Sequence, residues 1–275
     1  MIPISGMGTQ VGLNLIDATR EKQLTLIAKT AQNARAIQGF RDRIGSVQTV
    51  DDLMADQDLY AFVMRAFDLE DQIFGKGLMK KVLQSDLSDP KSLVNRLTDP
   101  RFRELHKELA FVANGTFTTR TKQKYWQDLT VDRFVERAFI NGAADQNESV
   151  GDILEFRERV GGVKTWFDVL KKPALGRFMR RALGIPDEAV RLDIDRQAKL
   201  FEAKYDIKKL QDPAELRKLE RKFAAISDAL DTSRLQQNGA IQMLTGILNA
   251  SGGGQFVPIT LDLEAISSLP RSPYR

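Results

Sequence analysis

The side chains most often used in catalysis are sparse in this sequence. The chain has no cysteine, which excludes disulfides, thiolate chemistry and cysteine-ligated metals. Its single histidine, His106, lies in the helical pattern RELHKELAF without a nearby serine or cysteine partner, which is more typical of a surface or boundary residue than of a catalytic base. Asp193 and Asp195 are two positions apart and so do not face the same way on a helix. We therefore predict that the chain has no catalytic residues and is not an enzyme.

Two stretches resemble ligand-binding loops only in part. DQNESVGDILEF, at 145–156, begins like a calcium-binding loop but has Val150 at the sixth position and Phe156 at the twelfth. FGKGLMKK, at 74–81, has two glycines without the spacing of a phosphate-binding loop. The first pattern predicts a polar turn that caps the next helix, and the second predicts a loop. We predict no metal and no cofactor.

Composition and charge leave several partners open. The chain has 275 residues, of which 42% are hydrophobic and 28% charged, as in a soluble protein with a real core. A net charge of +4 and a pI near 9.2 make nucleic acid a possible partner. However, acidic residues interleave with the basic ones in 198–223, which favours a solvated helical face. No apolar run is long enough to span a bilayer, and the N-terminus lacks the pattern of a cleaved secretory signal.

Helical periodicity dominates the stretches between these motifs. Apolar residues recur at helical spacing along the chain. Near the N-terminus they are Leu13, Ile16, Leu24, Ile27, Ala28, Ala31 and Ile37. Three Asp-Pro pairs read as an N-cap followed by proline at the first helical position: Asp89-Pro90, Asp99-Pro100 and Asp212-Pro213. The best strand candidate is GQFVPITLDLE at 254–264. These patterns predict an all-α fold with a short C-terminal tail that is extended or forms a single β-strand.

The sequence repeats itself at a distance of 116 positions. FRDRIGSVQT, which opens residues 40–71, returns as FRERVGGVKT, which opens residues 156–187. Aligned without gaps, the two stretches share twelve identities in thirty-two pairs; ordinary residue usage gives about two. This pattern predicts two tandem helical repeats of about 115 residues and a C-terminal helix with its tail. The predicted boundaries are 1–115, 116–230 and 231–275; we call the first two the first segment and the second segment.

In each segment, the repeated ten residues are predicted to contain the end of one helix and the start of the next. Gly45 and Gly161 stand where a left-handed C-cap residue is expected, and Thr49 and Thr165 stand where a side chain caps the following helix. Six repeated apolar positions are predicted to be buried: Phe40, Phe62, Ala66, Phe156, Phe178 and Ala182.

Two pairs of arginines recur between the segments, Arg41 with Arg157 and Arg43 with Arg159. One interpretation is that the end of each helix favours positive charge. The other is that the arginines form a protein-binding surface that is present twice. The sequence leaves both interpretations open.

Residues Thr49–Phe111 carry a family resemblance. They contain AFDL at 66–69, KVLQSD at 81–86 and DPKSLVNRLTDPRF at 89–102. Through these three stretches the first segment resembles the bacterial twelve-seventeen family of domains of unknown function, whose members recur in flagellar gene clusters. The second segment keeps ALGI and KLQDP but has no DPKS stretch, so it resembles the family less closely. The resemblance implies a role in flagellar assembly or motility, and it carries over no catalytic residues.

The resulting hypothesis is a non-enzymatic structural or assembly protein of the bacterial flagellum that binds other proteins. The alternative is a basic nucleic-acid-binding or regulatory helical protein, although nucleic acid is the less favoured partner. We expect the chain to be cytoplasmic, or exported through the flagellar apparatus without a cleaved signal. Apolar tail residues are expected to dock on a partner or on the repeats: Phe256, Val257, Ile259, Leu261 and Leu263.

Overall fold

Helices form all of the regular secondary structure that is described here. The computed structural model describes residues 1–112 and 115–231, which form thirteen α-helices, five short 3₁₀ helices and no strand. The α-helices are α1 (Thr9–Lys29), α2 (Ala31–Arg43), α3 (Val50–Ala55), α4 (Gln57–Ala66), α5 (Lys76–Leu83), α6 (Leu93–Arg96), α7 (Pro100–Leu109), α8 (Lys124–Gln146), α9 (Glu148–Val160), α10 (Trp166–Leu170), α11 (Pro173–Ala182), α12 (Ile194–Lys204) and α13 (Pro213–Leu230). The predicted all-α class is confirmed. The strand candidate at 254–264 lies outside the described residues.

The long helix α8 packs against α1, α4 and α9, and α9 packs in turn against α1 and α11. A tight turn joins α8 to α9. Asn147 caps α9 by accepting a hydrogen bond from the Val150 amide at 3.2 Å, which confirms the predicted polar turn with a cap. The two helices approach closely because Gly151 has no side chain to separate them.

Helices α2 to α5 and helices α9 to α12 follow one another in the same order along the two segments. Both α3 and α10 begin with a capping box, in which a threonine hydroxyl accepts from the backbone amide of an aspartate and the aspartate carboxylate accepts from the threonine amide. The pairs are Thr49 with Asp52 and Thr165 with Asp168. The predicted caps at Thr49 and Thr165 are therefore confirmed.

Phenylalanine rings form two stacks in the core, and one of them joins residues of both segments, since Phe134 belongs to the second. The ring centroids of Phe40 and Phe62 are 4.4 Å apart, and Phe134 stacks on Phe62 at 4.2 Å. The centroids of Phe156 and Phe178 are 3.9 Å apart, and Phe223 stacks on Phe178 at 4.5 Å. All six repeated apolar positions predicted to be buried are buried: Phe40, Phe62, Ala66, Phe156, Phe178 and Ala182.

The prediction of left-handed C-caps at Gly45 and Gly161 is wrong. Gly161 has φ −59° and lies in the right-handed helical region, and Gly45 continues the chain in a 3₁₀ helix, Ile44–Ser46. The chain therefore leaves these helices through a further right-handed turn. The left-handed residues stand later in each segment, at Asp68 and Gly184.

Two of the three Asp-Pro predictions are confirmed, because α7 begins at Pro100 and α13 begins at Pro213. The third is wrong. The Asp89 carboxylate accepts a hydrogen bond from the Lys91 amide at 2.9 Å within a turn, and the next helix begins only at Leu93. An Asp-Pro pair can open a turn as readily as a helix, since the cap geometry is local.

Residues Met1–Asp228 form one compact unit, which contains nearly all of both segments. The boundary between the two segments at residue 115 stays a prediction. Among the described helices, none has the length and apolar character needed to cross a membrane.

Candidate binding cleft

Charged side chains gather where the two segments meet. Two adjoining depressions, with volumes of about 380 and 360 Å³, share Asp68, Pro100, Arg159 and Lys172 in their walls. We call them together the charged cleft. Its cations are Arg101, Arg133, Arg137, Arg159, Lys171 and Lys172. Its carboxylates are Asp68, Asp99, Glu104, Glu155 and Glu158.

Arg137 lies deepest in the charged cleft, with a side chain that is 5% exposed. Its Nη2 is 2.6 Å from a Glu155 oxygen and 3.2 Å from Glu158, and its Nη1 is 3.4 Å from an Asp68 oxygen. Burial opposes the charge, but the hydrogen bond to Glu155 raises the pKa of Arg137. In the part of the chain described here, its Nε and Nη1 donate no hydrogen bond.

Asp68 joins both segments across the charged cleft. Its carboxylate accepts a hydrogen bond from Arg159, which also donates to Glu155. Arg101, in the first turn of α7, lies 3.4 Å from the same carboxylate and 2.8 Å from Asp99. Most of the carboxylates in the cleft are thus engaged by arginines.

Lys171 and Lys172 differ from these arginines, because neither forms an ion pair with any residue in the described ranges. Lys172 is half-buried and precedes the first residue of α11. Burial and, after it, the nearby Arg159 guanidinium lower the pKa of Lys172. Three carboxylates, those of Glu104, Asp168 and Glu155, act in the opposite direction and raise the pKa of Lys172.

The predicted binding arginines of the first segment lie in the last turn of α2. Arg41 forms an ion pair with Asp128 at 2.6 Å, and Arg43 forms one with Asp56 at 2.8 Å. Their position fits the interpretation that a helix end favours positive charge. Their role in binding a partner stays a prediction.

The predicted binding arginines of the second segment, Arg157 and Arg159, lie in the last turn of α9. Arg157 binds Asp17 at 2.6 Å and Glu220 at 2.8 Å, and the Glu220 side chain is only 7% exposed. These hydrogen bonds, Glu220 first, raise the pKa of Arg157 despite its burial. Arg159 alone among the four lines the charged cleft. The five predicted tail residues lie outside the described ranges: Phe256, Val257, Ile259, Leu261 and Leu263.

The prediction that His106 is a surface or boundary residue is wrong, because the residue is 4% exposed. Its Nε2 lies 2.8 Å from the Ser85 carbonyl oxygen. Burial lowers the pKa of His106, with the hydrogen bond to Ser85 acting in the opposite direction. The sequence held a signal for this position, since His106 follows the buried Phe102 by four residues and shares its helix face.

Sequence reasoning also missed Asp68, Arg137 and Lys172. An alignment of the two segments could have found Asp68 and Lys172, because each differs in type from its aligned residue. Asp68 aligns with Gly184, and Lys172 aligns with Asp56. Arg137 lies in a helical stretch whose sequence gives no sign of burial.

The family model described as a protein of unknown function, DUF1217, matches residues 66–216, more than half of the chain. The chain belongs to this family. The DUF1217 match is continuous and crosses from the first segment into the second, so it includes every charged residue of the cleft.

A solved relative supports the same fold for this DUF1217 protein. The X-ray crystal structure of a protein from Agrobacterium tumefaciens is 30% identical to it, with a TM-score of 0.72. The likeness covers 81% of this chain and 94% of that chain. No curated protein matches the sequence.

Proposed function

We propose that this protein is a non-enzymatic structural or assembly protein associated with the bacterial flagellum and that it acts by binding other proteins. The observation that carries protein binding is an exposed apolar side chain in the stretch before α5 and another in the stretch before α12. Phe74 is 96% exposed, and Val190, which lies 116 positions later, is 55% exposed. A fully exposed phenylalanine is unfavourable in water and is common at sites of protein contact.

A second apolar residue accompanies each of these. Leu78 is 38% exposed and Ile194 is 48% exposed, again 116 positions apart. We call Phe74 with Leu78, and Val190 with Ile194, the outer apolar pairs. The residue before each pair faces inward, since Ile73 and Ala189 pack against the core. The pairs are therefore held outward by turns that are anchored beneath them.

The proposal includes two tandem copies of one helical unit. It is supported by the recurrence of capping boxes at Thr49 and Thr165, of phenylalanine stacks, and of the outer apolar pairs. Two equivalent contact sites increase affinity when the partner is itself repeated, because the second contact forms at a high effective concentration. A repeated filament or ring subunit is such a partner.

The flagellar setting derives from the resemblance of Thr49–Phe111 to proteins of flagellar gene clusters. Deleting the gene is therefore expected to impair swimming and leave growth intact. The measurement is swimming speed and the spread of colonies in soft agar, beside growth curves. Normal flagella and normal swimming in the deletion strain would contradict the flagellar part of the proposal.

Variants of the outer apolar pairs test the contact itself. The double variant Phe74→Ser with Val190→Ser should fold normally and should lose most of the swimming that the parent restores to the deletion strain, whereas each single variant should lose less. Tyr125→Ser is the matched control, because Tyr125 is 76% exposed and lies outside both pairs. If the double variant restores swimming to the deletion strain as fully as the parent does, the outer apolar pairs are ruled out as contact sites.

The C-terminal tail needs a separate test. Truncation after Asn249 removes Phe256, Val257, Ile259, Leu261 and Leu263, and it is expected to weaken motility while the helices stay folded. Thermal unfolding beside the motility assay separates these effects, and unfolding of the helices would reject a binding role. DNA binding that weakens steeply with salt would instead favour the nucleic-acid alternative.

A further inference from the structure

The two outer apolar pairs lie among charges of opposite sign. Residues 74–81, which contain Phe74 and Leu78, include three lysines and no carboxylate: Lys76, Lys80 and Lys81. Residues 186–195, which contain Val190 and Ile194, include four carboxylates and a single arginine: Asp187, Glu188, Asp193, Asp195 and Arg191. We call the exposed side chains of 74–81 the basic surface and those of 186–195 the acidic surface. Both belong to the compact unit Met1–Asp228.

Two of the three lysines of the basic surface have no carboxylate partner among the described residues. Lys81 is exposed and forms no ion pair there, and Lys76 donates a hydrogen bond only to the Met54 carbonyl, at 3.3 Å. Lys80 is paired with Asp51 at 2.5 Å. The two carboxylates that come just before this surface are each held by an arginine, Glu70 by Arg65 at 2.9 Å and Asp71 by Arg101 at 3.4 Å. Positive charge therefore prevails on the basic surface.

Two of the four carboxylates of the acidic surface likewise have no cationic partner in the part of the chain that the structure describes. These are Glu188 and Asp195, which are both exposed. The other two are engaged, Asp187 by Arg180 at 3.8 Å and Asp193 by Arg196 at 3.1 Å. Arg191 is exposed and is the single cation of this surface, so negative charge prevails.

The apolar side chains of the two surfaces favour a contact, and the charges determine which surfaces meet. Phe74 is 96% exposed on the basic surface, and the acidic surface adds Leu192, which is 39% exposed, between Val190 and Ile194. Burial of such side chains drives protein association. Two basic surfaces repel each other, as do two acidic ones, whereas a basic surface placed against an acidic one brings opposite charges together.

We propose that the basic surface of one copy of this chain binds the acidic surface of a second copy, with the outer apolar pairs buried between them. Because each chain carries both surfaces, the contact can repeat and produce a ring or an open chain of copies. The inference rests on the proposed function in taking the outer apolar pairs as contact sites. It adds a second copy as their partner, so any other partner of the pairs has to displace a copy of this chain.

Sedimentation velocity of the full-length protein, from micromolar to near-millimolar concentration, tests the contact. We expect the average mass to rise with concentration above that of one chain. We also expect association to weaken when salt is added, because salt screens exposed charges. A monomer at every concentration, or association that salt does not weaken, overturns the proposal.

Anionic vesicles that contain phosphatidylglycerol test the other use of a lysine-rich surface with an exposed phenylalanine, which is contact with a membrane. The acidic surface argues against this use, because anionic lipids repel it. Binding to the vesicles by a protein that stays monomeric in their absence would assign the basic surface to a membrane and overturn the contact between copies.

Phe74→Asp and Val190→Lys each block one surface, since each removes apolar area and adds a charge that repels the opposite surface. Each variant alone should associate about tenfold or more weakly than the parent. An equimolar mixture should regain association, because the intact acidic surface of Phe74→Asp meets the intact basic surface of Val190→Lys. A mixture that associates no better than either variant alone overturns the proposal, as does parent-like association of either variant.

Tyr125→Asp is the matched control, because Tyr125 is 76% exposed and lies outside both surfaces. It should associate like the parent, and an equal loss in this control overturns the assignment to the two surfaces. Circular dichroism establishes that each variant is folded. Lys81→Glu on the basic surface and Asp195→Lys on the acidic surface replace a variant that does not fold, since both side chains are exposed.

The outcomes also separate this inference from the proposed function. If the parent stays monomeric while the double variant Phe74→Ser with Val190→Ser loses swimming, only the contact between copies is rejected. If the copies associate as expected and the double variant restores normal swimming, the contact between copies stands and the proposed function loses its contact sites.

Discussion

Asp68 and Gly184, which lie 116 positions apart, both adopt the left-handed backbone conformation, with φ of 57° and 62°. In each case the amide of the next residue closes the same bond, from Leu69 to the Met64 carbonyl and from Ile185 to the Arg180 carbonyl, both at 2.8 Å. Glycine adopts this conformation freely, whereas aspartate does so at a cost. The Asp68 carboxylate offsets that cost, because three arginines of the charged cleft surround it.

Replacing Asp68 with glycine separates these two effects. The variant Asp68→Gly relieves about 1 kcal/mol of backbone strain. It also removes a carboxylate beside the buried Arg137, at a cost of about 1–3 kcal/mol. We therefore expect a net loss in the free energy of unfolding, measured by urea denaturation. Asp68→Asn, which keeps an acceptor and tolerates this conformation, should lose less, and a more stable Asp68→Gly would contradict the role given to the carboxylate.

The phenylalanine stacks should carry much of the stability of the compact unit Met1–Asp228. Phe62→Ala and Phe178→Ala are each expected to lower the free energy of unfolding by about 3–5 kcal/mol, because each leaves a cavity in a packed core. The control is Phe74→Ala, which should change stability by no more than about 0.5 kcal/mol, since that side chain is exposed. Chemical denaturation measures all three, and a loss below about 1 kcal/mol at either core position would be incompatible with the observed burial.

The close approach of α8 and α9 gives a test with a matched glycine. A Cβ atom added at Gly151 would lie 2.6 Å from the Cα atom of Ala144, so Gly151→Ala must push the helices apart. The expected cost is about 1–3 kcal/mol, as for other overpacked sites. Gly161→Ala meets nothing within 4 Å and should be close to neutral. Thermal unfolding of the two variants should therefore differ clearly, and equal melting temperatures would show that α8 and α9 yield without strain.

The buried His106 predicts a pH dependence of stability. Burial lowers the pKa of His106 below its ordinary value of 6.5, so the unfolded chain takes up a proton at a pH where the folded protein does not. This contribution to stability is therefore complete above pH 6.5 and is lost as the pH falls below it. The measurement is urea denaturation between about pH 5 and pH 8.

His106→Gln supplies the control for this pH dependence, because glutamine can still donate to the Ser85 carbonyl but does not titrate. Subtracting the variant's free energy of unfolding from the parent's at each pH cancels the contributions of the other titratable groups. One of these is Glu158, whose burial raises its pKa, so that its contribution to stability changes with pH in the opposite direction. Identical pH slopes in the two proteins would mean that His106 titrates alike in the folded and unfolded states.

The family resemblance and the secondary structure could be predicted because their signals are local. Helical periodicity identified an all-α chain, and the threonines at 49 and 165 identified two helix starts, since a cap acts within one turn. The Asp89-Pro90 and Gly45 predictions failed for the related reason that one local pattern fits several backbone conformations.

The sequence alone determined the helical class, the buried phenylalanines and the 116-residue recurrence, because each follows from residue type and spacing along one stretch. Only the tertiary structure decided that Asp68, Arg137 and Lys172 line a common cleft. These residues come from α8 and from the turns beside α4 and α11, and their proximity depends on how helices pack rather than on any pattern within one helix. Burial of Arg137 likewise depends on the carboxylates that the following helix, α9, brings to it when it folds back on α8, because a guanidinium leaves water only where such partners are already in place.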